Sequence, residues 1–264
     1  MKKYLVIGNP IDHSLSPKLH NHWLKENNID AIYKKKKIND NEIKNVILKV
    51  RKNQIQGINV TVPFKKDVIP YLDILSEEAS STRSVNTIYL DKNKVVGHNT
   101  DAEGFRLSLQ NMENDLKGKK VFILGAGGVV SSIIYSLERM GVSQITLANR
   151  TRSKADELKK IFKNLNLIEW GLIPKFDMII NATSLGLNNN DNLGLKFSNS
   201  DRGKFFYDII YNPGETNFLK TGKNLGGQIL NGKMMFIYQA YEAFKIWHKV
   251  EPKIDENLMK ILDT

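Results

Sequence analysis

The chain has 264 residues, 41% of them hydrophobic. That is enough to bury a large core, and at roughly 150 residues per domain it suggests two domains. No cysteine is present, which excludes a disulfide framework and a thiolate metal site and fits a reducing compartment. The net charge of +11, 39 basic against 28 acidic residues, is spread over the whole length alongside abundant Asn, so it reads as biased composition and not as the clustered patch nucleic acid requires.

The opening MKKYLVIGNP puts a short apolar run behind two lysines before Gly and Pro break it, too short for a signal peptide. No stretch approaches the roughly 20 apolar residues of a membrane helix, and the expectation is a soluble cytoplasmic protein. YLVIG reads as a strand, followed by a helix from about Pro17 to Glu26, the strand AIYKKKK, a helix from about Asn41 to Arg51, and the strand GINVTV. This βαβαβ order implies parallel strands covered by helices. The lysines of AIYKKKK suit an exposed sheet edge, where they block edge-to-edge pairing. LHNHW contains two histidines two residues apart, which on a helix point to nearly opposite sides, so no metal site is expected.

SVNTIYLDKNKVVGHNT breaks the alternation, with Lys92-Asn93 as a hairpin turn. A helix from about Ala102 to Met112 follows, and the alternation restarts at VFILGAGG, which places a domain boundary close to Phe105. KKVFILGAGGVVSSIIYSLERMG is a buried strand, a glycine turn and an apolar helix, the arrangement that brings a pyrophosphate onto a helix N-terminus. Gly125 permits the turn and Gly127 lets backbone approach phosphate; Val130 stands where the third glycine of the full pattern would be. ITLANR ends where a carboxylate usually holds a ribose 2′-hydroxyl. Here Asn149-Arg150-Thr151 replaces it, with Arg152 and Lys154 beyond, and a guanidinium there suits a 2′-phosphate. NADP is the favoured cofactor. Asn149 and Thr151 would also serve as helix caps, which leaves Arg150 unexplained.

FDMIINATS, GKFFYDIIYNP and GGQILN continue the sheet, with Asn181, Thr183 and Asp208 at strand ends, the side where open α/β sheets bind ligands. A final helix from about Gly232 to Lys249 carries an apolar and aromatic stripe suited to a core, with Gln239 its conspicuous uncharged polar member.

The motifs VIGNPIDHSLSPKLHN (6–21), NVTVPFK (59–65), SVNTI (84–88), GHNTDAEG (97–104), GAGG (125–128), NRTRSKA (149–155), NATSLGL (181–187), DIIYNP (208–213) and GKMMFIYQA (232–240) resemble, in order and over essentially the whole chain, the shikimate dehydrogenase family. The resemblance implies an α/β fold of two domains with a cleft between them. One is an N-terminal α/β substrate domain, 1–104, completed by C-terminal helices over 237–264; the other is a Rossmann-like doubly wound NADP-binding domain, 105–236. It also implies reversible NADPH-dependent reduction of 3-dehydroshikimate to shikimate, a small-molecule substrate, no nucleic-acid or membrane partner, and a monomer or homodimer.

Carried over by position, Lys65 and Asp101 match the catalytic pair. Ser14 and Ser16 would hold the substrate carboxylate with Tyr211, while Asn59, Thr61, Asn86 and Gln239 would contact the substrate elsewhere. Gly125, Ala126, Gly127, Gly128, Val129, Asn149, Arg150, Thr151, Arg152, Ser153, Lys154, Thr183, Ile209 and Gly232 would line the cofactor, with Glu77 at a further position. Simpler roles stand beside these: Ser14 and Ser16 as caps of the helix entered at Pro17, Asn86 as a turn residue, and Asp101 as an N-cap. Arg83-Ser84, Val129-Val130, Lys233 and Met235 depart from the family pattern. Two alternatives remain: a quinate/shikimate-type dehydrogenase with relaxed substrate or NAD use, and a non-catalytic basic binding protein on the same fold.

Overall fold

The structure, a computed structural model, describes residues 1–110, 115–188 and 190–263. It divides into two compact units, one formed by Met1–Gly104 with Ile237–Thr264 and the other by Phe105–Phe236.

In the first unit β1 (Lys2–Gly8), α1 (Ser16–Glu26), β2 (Ala31–Lys37), α2 (Ile43–Arg51) and β3 (Gly57–Val60) alternate, and β1 pairs in parallel with both β2 and β3. The short β4 (Ile74–Leu75) and α3 (Glu77–Thr82) lead into the antiparallel hairpin of β5 (Thr87–Asp91) and β6 (Lys94–His98), then α4 (Asp101–Ser108). Lys92 and Asn93 turn the hairpin with φ of 45° and 64°, the twist that matches right-handed strands. The sheet order is β2-β1-β3-β5-β6-β4, which leaves lysine-rich β2 at an edge. β3 stops at Val60, two residues short of the apolar alternation. α4 ends at Ser108, and the expected terminus at Met112 lies outside the described residues.

One core of this unit joins Ile7, Ile58 and Val60 of the sheet to Val46, Ile47 and Val50 of α2. A second cluster is aromatic: Trp23 packs 5.6 Å from Phe244, and Tyr4 lies 5.0 Å from Trp247. Burying each such side chain contributes on the order of 1.5–3 kcal/mol, which ties the C-terminal segment to the N-terminal sheet.

The second unit is built from β7 (Lys120–Leu124), α5 (Val130–Arg139), β8 (Gln144–Ala148), α6 (Arg152–Ile161), β9 (Asn166–Ile168), β10 (Met178–Asn181), β11 (Phe205–Asp208), α7 (Asn217–Asn224) and β12 (Gln228–Leu230). Every pairing is parallel, in the order β12-β11-β10-β7-β8-β9. The order reverses between β7 and β10, and ligands bind doubly wound sheets at the carboxyl ends of the strands flanking such a reversal. Strands buried on both faces explain the unbroken apolar runs KVFIL and MIIN. Two C-terminal helices follow, α8 (Lys233–His248), whose first turn belongs to the second unit, and α9 (Glu256–Asp263).

Candidate active site

In the first unit a hydrogen-bonded turn follows β3, with Phe64 N donating to Thr61 O and Val68 N to Phe64 O. Phe64 and Val68 are fully buried and anchor it, so the two lysines between them differ in direction: Lys66 is exposed, whereas the Lys65 side chain is only 11% exposed. Lys65 Nζ lies 2.5 Å from Asp101 Oδ2, and the other carboxylate oxygen accepts from Asn86 Nδ2 at 2.9 Å. Asp101 opens α4 but does not cap it. Asn99 Oδ1 accepts from the backbone N–H groups of Asp101 and Ala102, which frees the Asp101 carboxylate for Lys65. Negative charge in a first helical turn is favoured by the helix dipole.

Asn86 is a network residue, not a turn residue. Its Oδ1 accepts from Thr100 N and its Nδ2 donates to Thr100 Oγ1 as well as to Asp101. Asn59 Nδ2 donates to Asn86 O and Thr87 Oγ1, and Asn59 Oδ1 accepts from the Tyr33 hydroxyl at 2.7 Å. Thus all four amide hydrogens of the two asparagines are spent on internal acceptors. Ser16 is buried and does not cap α1, whose N-cap position, Leu15, makes no side-chain cap bond. Ser14 lies before the N-cap position, and its Oγ accepts from Ser16 N, the first N–H of α1, at 3.3 Å. Thr61 is half-buried at the end of β3. Gln239 lies on α8 against Gly104, where an added Cβ would sit 2.7 Å from Gln239 N; only glycine lets α4 and α8 approach so closely. Tyr33, Thr87, Asn99 and Thr100 complete this network; Thr87, Asn99 and Thr100 lie within the motifs SVNTI and GHNTDAEG without a role of their own there, and Tyr33 carries no sequence signal.

In the second unit the β7–α5 turn brings Gly125, Ala126, Gly127, Gly128 and Val129 to the reversal point. Gly125 has φ of 105°, and a Cβ there would lie 2.7 Å from Ala182 O on the β10 side. At Gly127 an added Cβ would make only an ordinary contact, 3.8 Å from Ala182 O, so the turn is uncrowded there. Val130 is fully buried in the core, which accounts for an apolar residue where the third glycine would stand. Beyond β8, Asn149 Nδ2 donates to Thr151 O, and Thr151 occupies the N-cap of α6 without a side-chain cap bond. Capping therefore does not explain the pair. Arg150 is exposed and has no hydrogen-bond or ion-pair partner among the described residues. Arg152 pairs with Asp156 at 3.0 Å on the same helix, while Ser153 and Lys154 are exposed.

At the neighbouring strand ends, Asn181 Nδ2 donates to both carboxylate oxygens of Asp208, and Thr183 Oγ1 donates to Asn181 Oδ1 at 2.7 Å. Burial pushes the Asp208 carboxyl up, and bonds from Thr216, Ile210 N and Asn181 partly oppose this. The latch fixes the segments carrying Thr183, Ile209 and Tyr211. Tyr211 stacks on Phe236 at 4.9 Å, and burial raises its phenol. Gly232 packs directly on the Ile209 carbonyl, where a side chain would clash. Glu77, by contrast, belongs to the first unit, exposed in the first turn of α3.

Comparison with known proteins identifies the scaffold. Residues 6–88 match the family described as the shikimate dehydrogenase substrate binding domain, and residues 106–210 that described as shikimate / quinate 5-dehydrogenase. Shikimate dehydrogenase (NADP(+)) of Pelagibacter ubique (strain HTCC1062) is 56% identical, covering 99% of each chain. Among solved structures, shikimate dehydrogenase from Aquifex aeolicus is 34% identical with a TM-score of 0.90, over 100% of this chain and 98% of that one. Shikimate 5-dehydrogenase from Thermus thermophilus, in complex with NADP(H) and shikimate, is 29% identical with a TM-score of 0.86, over 98% of this chain and 97% of that one.

Proposed function

The chain belongs to the shikimate dehydrogenase family, and on that premise we propose that it catalyses the reversible NADPH-dependent reduction of 3-dehydroshikimate to shikimate. The observation that carries the reading is the enclosed Lys65–Asp101 pair. NADP, when bound, supplies or accepts the hydride. The residues present suit it: a glycine turn that is uncrowded at Gly127, a helix N-terminus beyond it, and after β8 an exposed Arg150 with no partner among the described residues for the 2′-phosphate. Gly125 to Val129, Asn149 to Lys154, Thr183, Ile209 and Gly232 are its proposed lining, with Glu77 a further position.

During reduction, negative charge grows on the ketone oxygen, and the Lys65 ammonium both stabilises it and donates the proton. In the reverse direction the neutral amine takes the hydroxyl proton. Asp101 orients Lys65 and is itself held by Asn86, so the proton-transfer atom is fixed by a buried amide and not by solvent. Ser14 and Ser16 hold the substrate carboxylate with Tyr211; Asn59, Thr61, Asn86 and Gln239 shape the rest of the substrate site.

No helix among the described residues is long and apolar enough to cross a membrane. The lack of cysteine supports a cytoplasmic enzyme, and we take it to act as a monomer or homodimer. A steady-state assay crossing shikimate and quinate with NADP and NAD tests the function. Shikimate with NADP should give the highest kcat/KM; equal turnover of quinate, or of NAD, would overturn the substrate or cofactor assignment.

A further inference from the structure

Asn99 is fully buried and uses both ends of its side-chain amide to link the end of α3 to the start of α4. On one side its Oδ1 accepts from Asp101 N at 3.0 Å and from Ala102 N at 3.3 Å. On the other its Nδ2 donates to Thr82 Oγ1 at 3.0 Å and to Ser84 O at 2.9 Å. Reversing the amide would set its hydrogens against two N–H donors, so the network admits one orientation.

The two sides lead to the two members of the proposed catalytic pair. Asp101 is held directly, by its own N–H. Lys65 is held through the backbone: its carbonyl accepts from Val85 N at 2.9 Å, and Val85 follows Ser84, whose carbonyl Asn99 grips. That segment has few other anchors of its own. Arg83 runs at φ of 48°, a conformation costly for a residue other than glycine, and the buried Ser84 hydroxyl has no hydrogen-bond partner among the described residues. One amide therefore spans the two backbones that set Lys65 Nζ against Asp101 Oδ2.

We propose that Asn99 is a positioning residue for proton transfer, its amide tying the Asp101 backbone to the segment that supports Lys65, so that the pair is aligned before substrate binds. The proposal rests on the reading of Lys65 and Asp101 given above. It predicts a loss in the chemical step with NADP binding spared. The glycine turn and Arg150 belong to the second unit, and Glu77 sits at the opposite end of α3, which Ser76 caps separately.

The test compares Asn99→Ala, which removes both arms, with Asn99→Ser, which keeps an oxygen suited to a helix start, each beside wild type with shikimate and NADP. Asn99→Ala should lower kcat and kcat/KM for shikimate together, by about tenfold or more, as expected when reacting groups are misplaced. Asn99→Ser should recover part of that loss, and titration should give both variants a Kd for NADP within about twofold of wild type. A Lys65→Ala background adds a readout that general destabilisation would not move: with the amine gone, Asn99→Ala should cost less than about twofold more. A kcat for Asn99→Ala within about twofold of wild type, no recovery in Asn99→Ser, weakened NADP binding, an undiminished penalty beside Lys65→Ala, or variants that do not fold would each overturn it. Wild type inactive with shikimate, or Lys65→Ala fully active, would bring down the functional reading and this proposal with it, and those two arms register that failure apart from any result at Asn99.

Discussion

Lys65 and Asp101, 36 residues apart in the chain, meet in a hydrogen bond of 2.5 Å with both side chains almost enclosed. Lys66, one residue on, is exposed. If Lys65 transfers the proton, Lys65→Ala should lower kcat by about 100-fold or more, the range for a positioned acid or base, while Lys66→Ala keeps near-normal activity. Asp101→Asn keeps the shape without the charge and should also be slow. Steady-state rates of the double variant check the coupling: a group acting as one unit should leave it barely worse than Lys65→Ala, and multiplied penalties would mean independent roles.

Arg150 is exposed, and among the described residues it has no structural bond to lose. Arg150→Ala should therefore weaken NADP by about 1.5–3 kcal/mol, the worth of hydrogen bonds to a charged group, and leave NAD affinity and thermal stability nearly untouched. Titration of the variant with each cofactor separates this from a general loss. Arg152 is held by Asp156, and its Ala variant should cost less.

The N-cap of α1 is Leu15, and Ser14 gives the helix end no more than a long 3.3 Å bond from Ser16 N, so joint replacement of Ser14 and Ser16 by Ala should largely spare the helix. The expected result is a KM for shikimate raised far more than that for NADP, because the carboxylate loses hydroxyl donors. A melting curve recorded beside the kinetics decides: loss of stability with unchanged substrate affinity would return the pair to a structural role.

His20 is buried among aromatic rings, and neither ring nitrogen has a hydrogen-bond partner among the described residues. Burial, with His248 nearby, pushes its pKa down from 6.5 to about 3; burial and Lys2 push His248 down to about 4. Between those values and 6.5 the unfolded chain binds protons that the folded chain refuses. The stability from each neutral histidine is complete above 6.5 and is lost as pH falls, at about 1.4 kcal/mol per pH unit per group. His20→Phe keeps the stack and removes its share of the slope. Urea midpoints at pH 7, 5.5 and 4.5 should fall about half as steeply as in wild type; equal slopes would place the acid sensitivity elsewhere.

Much of this protein was legible as pattern. The alternation of strands and helices, the hairpin at Lys92-Asn93 and the glycine turn after KVFIL are local signals, written within a few residues by periodicity and backbone preference. The elements that escaped, β4, α3, β9 and α7, are at most eight residues long. They are too short to show a period, and α3 ends at Arg83 with φ of 48°, a left-handed cap where glycine would have been the cue.

The sequence by itself determined which residue types are present to do the chemistry, and its ordered motifs named Lys65, Asp101 and Arg150 as candidates. Only the tertiary structure decided how they are held. Which of two adjacent lysines turns inward depends on Phe64 and Val68 being buried; that Asp101 is free for it depends on Asn99 taking over the cap. Tyr33 had no local mark at all. Its partner Asn59 lies 26 residues away, and the two share a face only because β1 runs between their strands, setting Tyr33 beside Tyr4 and Asn59 beside Val6. Register is a long-range property: a slip of one residue would turn Tyr33 to the opposite face and break the link to Asn59.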